Sequence, residues 1–471
     1  MLPIPNPHFP LYSKEELQDK LDALQCHFTW HLSIGGNIET SHVLQKLAVE
    51  IKYTSHQNQA ALLGLQAYLY HLQSQNREAL QSLKDAEEHK RQDEQWASAA
   101  DSLVIYGNYA WIHYLQASYQ EAESYLEQVQ QLCTTPLDAQ LIPYIQAQKG
   151  WSLLAIRTRN GERARECFEA ALMLEPENTN FQTGLGMALY SSWNYFWYRD
   201  IADEARIQLE RTVLKHPNNY RAKINLAKLL EQVDTERSIG LVEESLEKSS
   251  DPYVLKASAF FWLKRNSTER AIKILQQALE QNPGYHLLYQ ALAKCYKIQW
   301  LNANKEDKNN ILEAAIKDLK QILQEHPDLV FVKLQLAEFY GARDPAQEEK
   351  IYRELHEKKE TLGPKSLQAL NLYWGKFFLY RKNSLDEAKA KFMDGYKIPM
   401  ATLVRKECAQ KLAKLAQHYH GEAAAAIFRF IQDTDRHLPA EFSGADLEIL
   451  PMEAEQNPLQ VQICIAPLEV L

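Results

Sequence analysis

One residue spacing recurs along this chain and strongly restricts how it can fold. A small residue is followed four positions later by a bulky apolar residue, three later by a small or apolar one, and five later by proline, as in Ala164, Phe168, Ala171 and Pro176. Spacings of four and three place the first three residues on one face of a helix, and proline ends it. The same complete pattern recurs at 205–217, 271–283 and 315–327.

Partial copies of the spacing extend the series toward both ends of the chain. They begin at Ala79, Ala122, Ser238, Ala388 and Ala424, and most steps between copies are 33 to 44 residues. This pattern is typical of the second helix of a tetratricopeptide unit, in which a small residue lets two helices approach closely. The sequence therefore predicts an all-α fold, a tetratricopeptide α-solenoid superhelix of roughly nine or ten helix pairs.

Composition and the positions of the prolines predict how the chain divides into segments. We expect an N-terminal extension at 1–13, an N-terminal superhelix at 14–250, a C-terminal superhelix at 251–437, and a poorly ordered, proline-containing and mainly acidic tail at 438–471. The polar segment 299–314 is expected to be a loop between two helices.

Charge and cysteine usage limit the class of protein. The 52 Lys and Arg against 61 Asp and Glu give a net charge of −9, which argues against a uniformly basic nucleic-acid binder but allows a basic groove. Six well-separated cysteines indicate reduced, buried thiols, and no signal or membrane-spanning segment is recognisable, so we expect a cytoplasmic protein. The cysteines are Cys26, Cys133, Cys167, Cys295, Cys408 and Cys464.

Enzymatic motifs are not found in the sequence. His31, His418 and His420 lack the companion ligands of a zinc site, and there is no glycine-rich phosphate loop or nucleophile elbow. We therefore expect a protein without enzymatic activity, with no catalytic residue, metal site or cofactor.

Four segments carry a resemblance to a known family. "CHFTW" at 26–30, "LVIYGNYAWIHY" at 103–114, "GWSLL" at 150–154 and "YWGKFFLYRKNS" at 373–384 together resemble the interferon-induced proteins with tetratricopeptide repeats. The resemblance implies a cytosolic antiviral effector of innate immunity, whose positively charged channel holds the 5′ end of foreign RNA. Phe28, Trp30 and Trp111 are interpreted as packing residues at helical core spacing.

The resemblance also suggests an RNA site. Trp151 matches the tryptophan on which the first base or cap stacks, and cations with flat aromatic faces suit phosphates and bases. The candidate RNA-binding residues, all expected to line the channel, are Trp151, Arg157, Tyr190, Tyr220, Tyr253, Lys256 and Gln290.

Several family positions have changed in this chain. A lysine is replaced by Ala155, arginines by Ser191 and Leu263, a tyrosine by Ala257, and glutamines by Ala291 and Glu50. Each phosphate cation lost weakens RNA binding, and a carboxylate near a triphosphate repels it. The resemblance therefore predicts weakened 5′-triphosphate selectivity.

Other charged and aromatic residues have two interpretations. Two clusters either compensate for the lost cations or form solvated helix faces: Arg157, Arg159 and Arg163 in the first, and Arg221, Lys223 and Lys228 in the second. The aromatic segment 193–200 is either a stacking platform or a packing plug between repeats.

Two functions therefore stay open. The first is binding of single-stranded viral RNA, with or without a modified 5′ end. The second is a protein-interaction scaffold that has lost RNA binding and pairs with itself or with relatives through its C-terminal repeats.

Overall fold

The computed structural model describes residues 12–32, 37–53, 58–90, 95–132, 140–156, 160–196, 199–283, 285–399 and 402–436. All regular secondary structure in these ranges is helical, so the predicted all-α class is confirmed. The predicted tail at 438–471 and Arg157 lie outside these ranges. No described helix is both long enough and apolar enough to cross a bilayer.

Twenty-two α-helices follow one another through the described residues, with one 3₁₀ turn at Lys359–Thr361 and one π-helical turn at Phe378–Lys382. The α-helices are α1 (Lys14–Asp22), α2 (Asn37–Tyr53), α3 (Gln59–Leu72), α4 (Asn76–Glu88), α5 (Gln95–Leu115), α6 (Tyr119–Leu132), α7 (Ile142–Ile156), α8 (Gly161–Leu174), α9 (Thr179–Phe196), α10 (Arg199–Lys215), α11 (Tyr220–Leu230), α12 (Thr235–Lys248), α13 (Pro252–Lys264), α14 (Thr268–Gln281), α15 (His286–Asn302), α16 (Asp307–Glu325), α17 (Val330–Gly341), α18 (Pro345–Glu357), α19 (Pro364–Phe377), α20 (Leu385–Lys397), α21 (Leu403–Ala416) and α22 (Glu422–Arg436).

The chain forms two compact units, which divide between Ala257 and Ser258, inside α13. In the first unit, α3, α5, α7, α9 and α11 each pack on the helix that follows, and each also contacts the next member of this set. In the second unit, α15, α17, α19 and α21 do the same. This is the tetratricopeptide arrangement, so the predicted fold is confirmed. We call these odd-numbered helices, together with α13, the first helices of their pairs.

The repeated spacing forms the core of each pair. Ala164, Phe168 and Ala171 are fully buried on α8, and the Phe168 ring fills the space beside Gly184 of the following helix. A Cβ at Gly184 would lie 2.2 Å from that ring, so only glycine lets the two helices approach so closely. The small and bulky positions thus fix the distance between neighbouring helices.

Two expectations about local structure are wrong. The segment 299–314 is not a loop, because α15 continues to Asn302 and α16 begins at Asp307. Residues 303–306 join the two helices, and α16 is amphipathic, with Leu312 and Ala315 buried on its inner face. The "CHFTW" segment is also not helical, since residues 23–32 contain only turns and bends.

The "CHFTW" residues nevertheless pack as predicted. Trp30 is buried, and Phe28 stacks on Trp111 with ring centroids 5.8 Å apart. His27 is fully buried and accepts or donates hydrogen bonds with Asn108 and Ser152, which joins this segment to α5 and α7. The four cysteines in the described ranges are free and buried, as predicted for Cys26, Cys167, Cys295 and Cys408.

Candidate RNA-binding site

The predicted RNA-binding residues that the structure describes lie on the first helices of successive pairs. Gln290 belongs to the second unit and the others to the first. Trp151 lies on α7, Tyr190 on α9, Tyr220 on α11, Tyr253 and Lys256 on α13, and Gln290 on α15.

Trp151 is held in a fixed orientation. Its indole N–H donates to Asn180 Oδ1 at 3.0 Å, and its ring packs nearly perpendicular to that of Phe168 with centroids 5.2 Å apart. The amide of Asn180 in turn donates to Asn58 Oδ1 at 3.2 Å. The indole is only half-buried, so a flat aromatic surface is presented with its polar edge already satisfied.

Arg221, at the start of α11, is clamped by two carboxylates. Its Nε lies 2.5 Å from Asp251 Oδ2, and its Nη2 lies 3.2 Å from Glu50 Oε2 on α2. Burial alone would lower the pKa of Arg221, but the charges of Glu50 and Asp251 outweigh burial and raise it above its ordinary value. Most of the guanidinium charge is therefore already neutralised within the protein.

Tyr253 is the centre of a group of side chains from three helices. Its hydroxyl donates to Asn225 Oδ1 at 3.0 Å, and the Arg221 guanidinium lies 5.0 Å from its ring centroid. The Lys228 ammonium lies 5.8 Å from the Tyr253 ring and 5.4 Å from the Tyr190 ring. We call these residues, Tyr190, Arg221, Asn225, Lys228 and Tyr253, the Tyr253 cluster. The cluster combines two aromatic rings with cations, the combination that single-stranded nucleic acid requires.

The rings of the cluster are not equally accessible. Tyr190 is only 2% exposed and tilts against Trp193, so little of its ring is open to a base. Tyr253 is half-buried and offers more surface. Within the described ranges, Tyr253 is therefore better placed than Tyr190 to stack on a nucleotide.

Lys223 is also paired within the protein. Its ammonium lies 2.7 Å from Glu244 Oε2 and 5.3 Å from the Tyr220 ring, and the residue is 3% exposed. Hydrogen bonds from Lys223 and from Lys248 lower the pKa of Glu244. The alternative that Arg221 and Lys223 belong to a solvated helix face is therefore wrong, but both cations already have carboxylate partners.

The positions where family residues have changed are mostly apolar and enclosed. Ala257, Leu263 and Ala291 are buried, and Ala155 and Ser191 are half-buried. Lys256 and Gln290 are likewise half-buried. An apolar residue at an enclosed position removes a polar contact to a ligand, and it leaves no unpaired polar group in the protein at that position.

Sequence reasoning missed the partners that orient the site. Asn180, Asn225 and Asp251 each fix a predicted residue, yet none belongs to a recognised motif. One local feature of the sequence indicated a role for Asp251, because an Asp before a proline at a helix start is a common capping residue. Its carboxylate does accept from the Tyr253 backbone N–H, at 2.8 Å. Among the described residues, no three His, Cys, Asp or Glu side chains lie close enough to hold a metal ion.

Known proteins similar to this chain share its fold. No family model matches the chain. Human interferon-induced protein with tetratricopeptide repeats 2 is 30% identical over 449 residues, which covers 90% of this chain and 94% of that protein. The solved human IFIT1 dimer with m7Gppp-AAAA has a TM-score of 0.60 at 26% identity, covering 89% of this chain and 99% of that one.

A second solved structure, the human IFIT1 dimer with PPP-AAAA, has a TM-score of 0.59 at 27% identity and covers 89% of this chain and 95% of that one. The fold, the order of the resembling segments and the 30% identity across nearly the whole length lead to one conclusion. The chain belongs to the family of interferon-induced proteins with tetratricopeptide repeats.

Proposed function

We propose that this protein is a cytoplasmic antiviral effector without enzymatic activity, which binds single-stranded RNA along the first helices of its first unit. The support is twofold. A family member with the same fold has been solved with m7Gppp-AAAA and with PPP-AAAA. The Tyr253 cluster and Trp151 provide the stacking surfaces and cations that RNA binding requires.

The observation that carries the proposal is the orientation of Trp151. Its N–H is bonded to Asn180 and its ring packs nearly perpendicular to that of Phe168, so a base can stack on the open ring without first ordering the side chain. Stacking on such a surface contributes about 1–3 kcal/mol per base. Trp151→Ala should therefore weaken binding of every single-stranded RNA, whatever its 5′ end.

The proposed site discriminates poorly between 5′ ends. Arg221 is neutralised by Glu50 and Asp251, and the positions of Ala155 and Ser191 carry no charge. Charge-assisted contacts to terminal phosphates, each about 1.5–3 kcal/mol, are thereby reduced. We expect triphosphate and hydroxyl RNAs to bind within about tenfold of each other, or about 1.4 kcal/mol.

A filter-binding titration tests the proposal with triphosphate, capped and hydroxyl forms of one short RNA. Wild type should retain all three, Trp151→Ala should weaken all three, and Trp151→Phe should keep most of the affinity because it keeps a flat ring. Ala155→Lys combined with Ser191→Arg should widen the preference for triphosphate. A wild-type preference of about a hundredfold, or about 2.7 kcal/mol, would contradict the weak selectivity.

The rival function is a scaffold that binds only protein. The observation that favours it is the internal pairing of Arg221 and Lys223, which leaves less cationic charge for phosphates. Self-association is part of both functions, since IFIT1 has been solved as a dimer. Failure to retain any RNA at low salt, with a correctly folded protein, would leave the scaffold as the better account.

A further inference from the structure

A cavity of about 340 Å³ lies within the second unit, on the same side as its first helices. Its size falls in the range of about 300–1,000 Å³ that is usual for small-molecule sites. Residues of α15, α17, α18, α19 and α21 and of the π-helical turn line it. We call this cavity the Glu348 pocket. Its aromatic lining residues are Trp300, Phe339, Tyr373, Phe377 and Tyr380.

The charged groups of the pocket almost cancel. Four cations and three carboxylates line it. Three cations pair with the carboxylates at N–O distances of 2.5, 2.6 and 3.6 Å: Lys297 with Glu338, Lys376 with Glu407, and Arg381 with Glu348. The fourth cation, Lys411, donates to the hydroxyl of Tyr380 at 2.8 Å, and Tyr380 is 64% exposed. The excess positive charge therefore lies at the open rim.

Two acceptors among the lining residues lack a hydrogen-bond donor. Glu348 accepts from the Tyr352 hydroxyl at Oε1, at 2.9 Å, but its Oε2 has no donor, and Arg381 Nε is 3.6 Å away from that oxygen. The Oε1 of Gln335 also has no donor. Unmatched buried acceptors are costly, so a ligand that supplies N–H donors to them would be favoured.

Both oxygens are shielded from solvent in this conformation, and Glu348 is 3% exposed. The terminal torsions of Glu and Gln side chains are soft, so each oxygen can turn toward a donor in the pocket. The turn exchanges present hydrogen bonds for new ones, since Glu348 Oε1 accepts from Tyr352 and Gln335 Nε2 donates to Glu338 and Tyr373. Such a turn is made easier because the Glu348 carboxylate pairs only loosely with Arg381.

Two local features build the pocket. A Cβ at Gly341 would lie 1.6 Å from Glu348 Oε2, so only glycine allows the carboxylate to occupy this place. The π-helical turn Phe378–Lys382 adds a residue to the end of α19 and brings Tyr380 and Arg381 to the pocket. Single π-helical turns are frequent at functional sites, where they shift side chains out of the regular helical register.

These features select the chemistry of a ligand. A cationic ligand is disfavoured, because the lining has more cations than carboxylates. A simple anion would leave the buried acceptors unmatched. A ligand with a neutral, flat, donor-bearing end and an anionic end satisfies both requirements. Guanine carries adjacent N–H donors on one edge, and a nucleotide adds the phosphate.

We propose that the Glu348 pocket binds a guanine nucleotide, with the N–H edge of the base toward Glu348 and Gln335 and the phosphate toward Lys411 at the rim. The base would lie among the aromatic side chains, where stacking contributes to affinity. This site lies wholly in the second unit and does not rest on the proposed RNA site of the first.

Isothermal titration calorimetry on the full chain tests the assignment with GMP, guanosine, AMP and arginine amide. GMP should bind at least about tenfold more tightly than AMP, whose corresponding edge offers an acceptor in place of one donor. Guanosine should bind more weakly than GMP, and Lys411→Met should remove that difference. A short single-stranded RNA ending in guanosine, used as a competitor, distinguishes a chain terminus from a free nucleotide as the source of the base.

Glu348→Gln is the decisive variant. Glutamine keeps an oxygen for Tyr352 but replaces the second acceptor with an NH₂ donor, which opposes the N–H edge of guanine. GMP affinity should fall at least about tenfold, as expected when a charge-assisted hydrogen bond is lost. Glu354→Gln, on the same helix but exposed and outside the pocket, is the matched control and should leave GMP binding unchanged.

Several results would overturn the proposal. These are no GMP binding with a Kd below about 1 mM, equal affinity for AMP and GMP, tighter binding of arginine amide than of GMP, or GMP binding that Glu348→Gln leaves unchanged. Trp151→Ala separates the two sites, because it should weaken RNA binding in the first unit and leave GMP binding intact. Loss of GMP binding in both Glu348→Gln and Trp151→Ala would place the nucleotide elsewhere and reject the pocket.

Discussion

Arg221 in the first unit and Glu348 in the second are both charged side chains enclosed by helices of successive repeats, yet their surroundings differ. Arg221 has two carboxylates within 3.2 Å. Glu348 has one hydroxyl donor at 2.9 Å and one cation at 3.6 Å. The pKa shifts reflect this difference: neighbouring carboxylates hold Arg221 charged, whereas burial raises the pKa of Glu348 to about 7.

The difference separates two uses of a buried charge. A fully paired charge such as Arg221 ties α11 to α2 and to the start of α13, so its first role is to hold the first unit together. A loosely paired charge such as Glu348 can still accept a hydrogen bond from a ligand. Since unpaired buried groups are costly, the second arrangement is expected where a ligand completes the set of hydrogen bonds.

The largest effect is expected from Arg221→Met. Methionine leaves Glu50 and Asp251 close together without their cation. Removal of one partner of a buried ion pair costs about 3–5 kcal/mol of unfolding free energy, which is the upper bound for these partly buried groups. Urea denaturation followed by circular dichroism measures the loss. Arg237→Met, which removes an exposed pair with Glu210, is the control and should change stability by less than about 1 kcal/mol. Equal effects of the two variants would show that Arg221 is not a clamp.

A smaller effect is expected from pH at Glu348. Burial raises its pKa from 4.5 to about 7, the charge of Glu338 acts in the same direction, and the Tyr352 hydroxyl, Arg381 and Lys297 oppose it. The folded protein therefore binds more protons than the unfolded chain between pH 4.5 and about 7, so this group reduces the unfolding free energy as pH rises through that window. The loss amounts to about 3 kcal/mol in total.

Glu348→Gln isolates this contribution, because glutamine does not titrate. The difference in unfolding free energy, variant minus wild type, should grow by about 3 kcal/mol between pH 4 and pH 8. Glu354→Gln removes an exposed carboxylate from the same helix and is the matched control. A difference that stays constant with pH would mean that Glu348 titrates normally in the folded protein.

The same comparison shows how far sequence reasoning extends. The repeat frame was predictable, because Ala164 and Phe168 lie four positions apart and a helix turns that spacing into one packed face. The loop predicted at 299–314 was wrong, since its polar residues were counted without the buried residues between them. Local periodicity therefore predicted the helices but not every boundary.

The candidate sites were predictable only in part. Trp151 and Tyr253 were identified by resemblance, but Glu50 and Arg221 lie 171 positions apart, and no local pattern relates them. The Glu348 pocket draws on four first helices, on α18 and on a π-helical turn, so it exists only after several repeats have stacked. Side chains that meet through stacking of repeats leave no periodic signal in the sequence.

The smallest effect is expected from Glu50→Gln, which tests whether the Arg221 clamp limits RNA binding. Glutamine still accepts a hydrogen bond from Arg221 but carries no charge. Of the two carboxylates that pair with Arg221, Asp251 alone then still neutralises the guanidinium. Positive potential next to Tyr253 then increases, and a nearby phosphate gains a partly available cation.

We expect Glu50→Gln to raise the affinity for triphosphate RNA by up to about tenfold, or about 1.4 kcal/mol, with a smaller gain for hydroxyl RNA. The affinity should also fall more steeply with salt, because an added phosphate contact releases an added counterion. Filter binding at several salt concentrations measures both quantities. Glu244→Gln is the matched comparison, because it removes the carboxylate that pairs with Lys223 on the same helix as Arg221. If Glu50→Gln changes neither affinity nor salt dependence, Arg221 lies outside the path of the RNA, and its carboxylates serve only to join α2, α11 and α13.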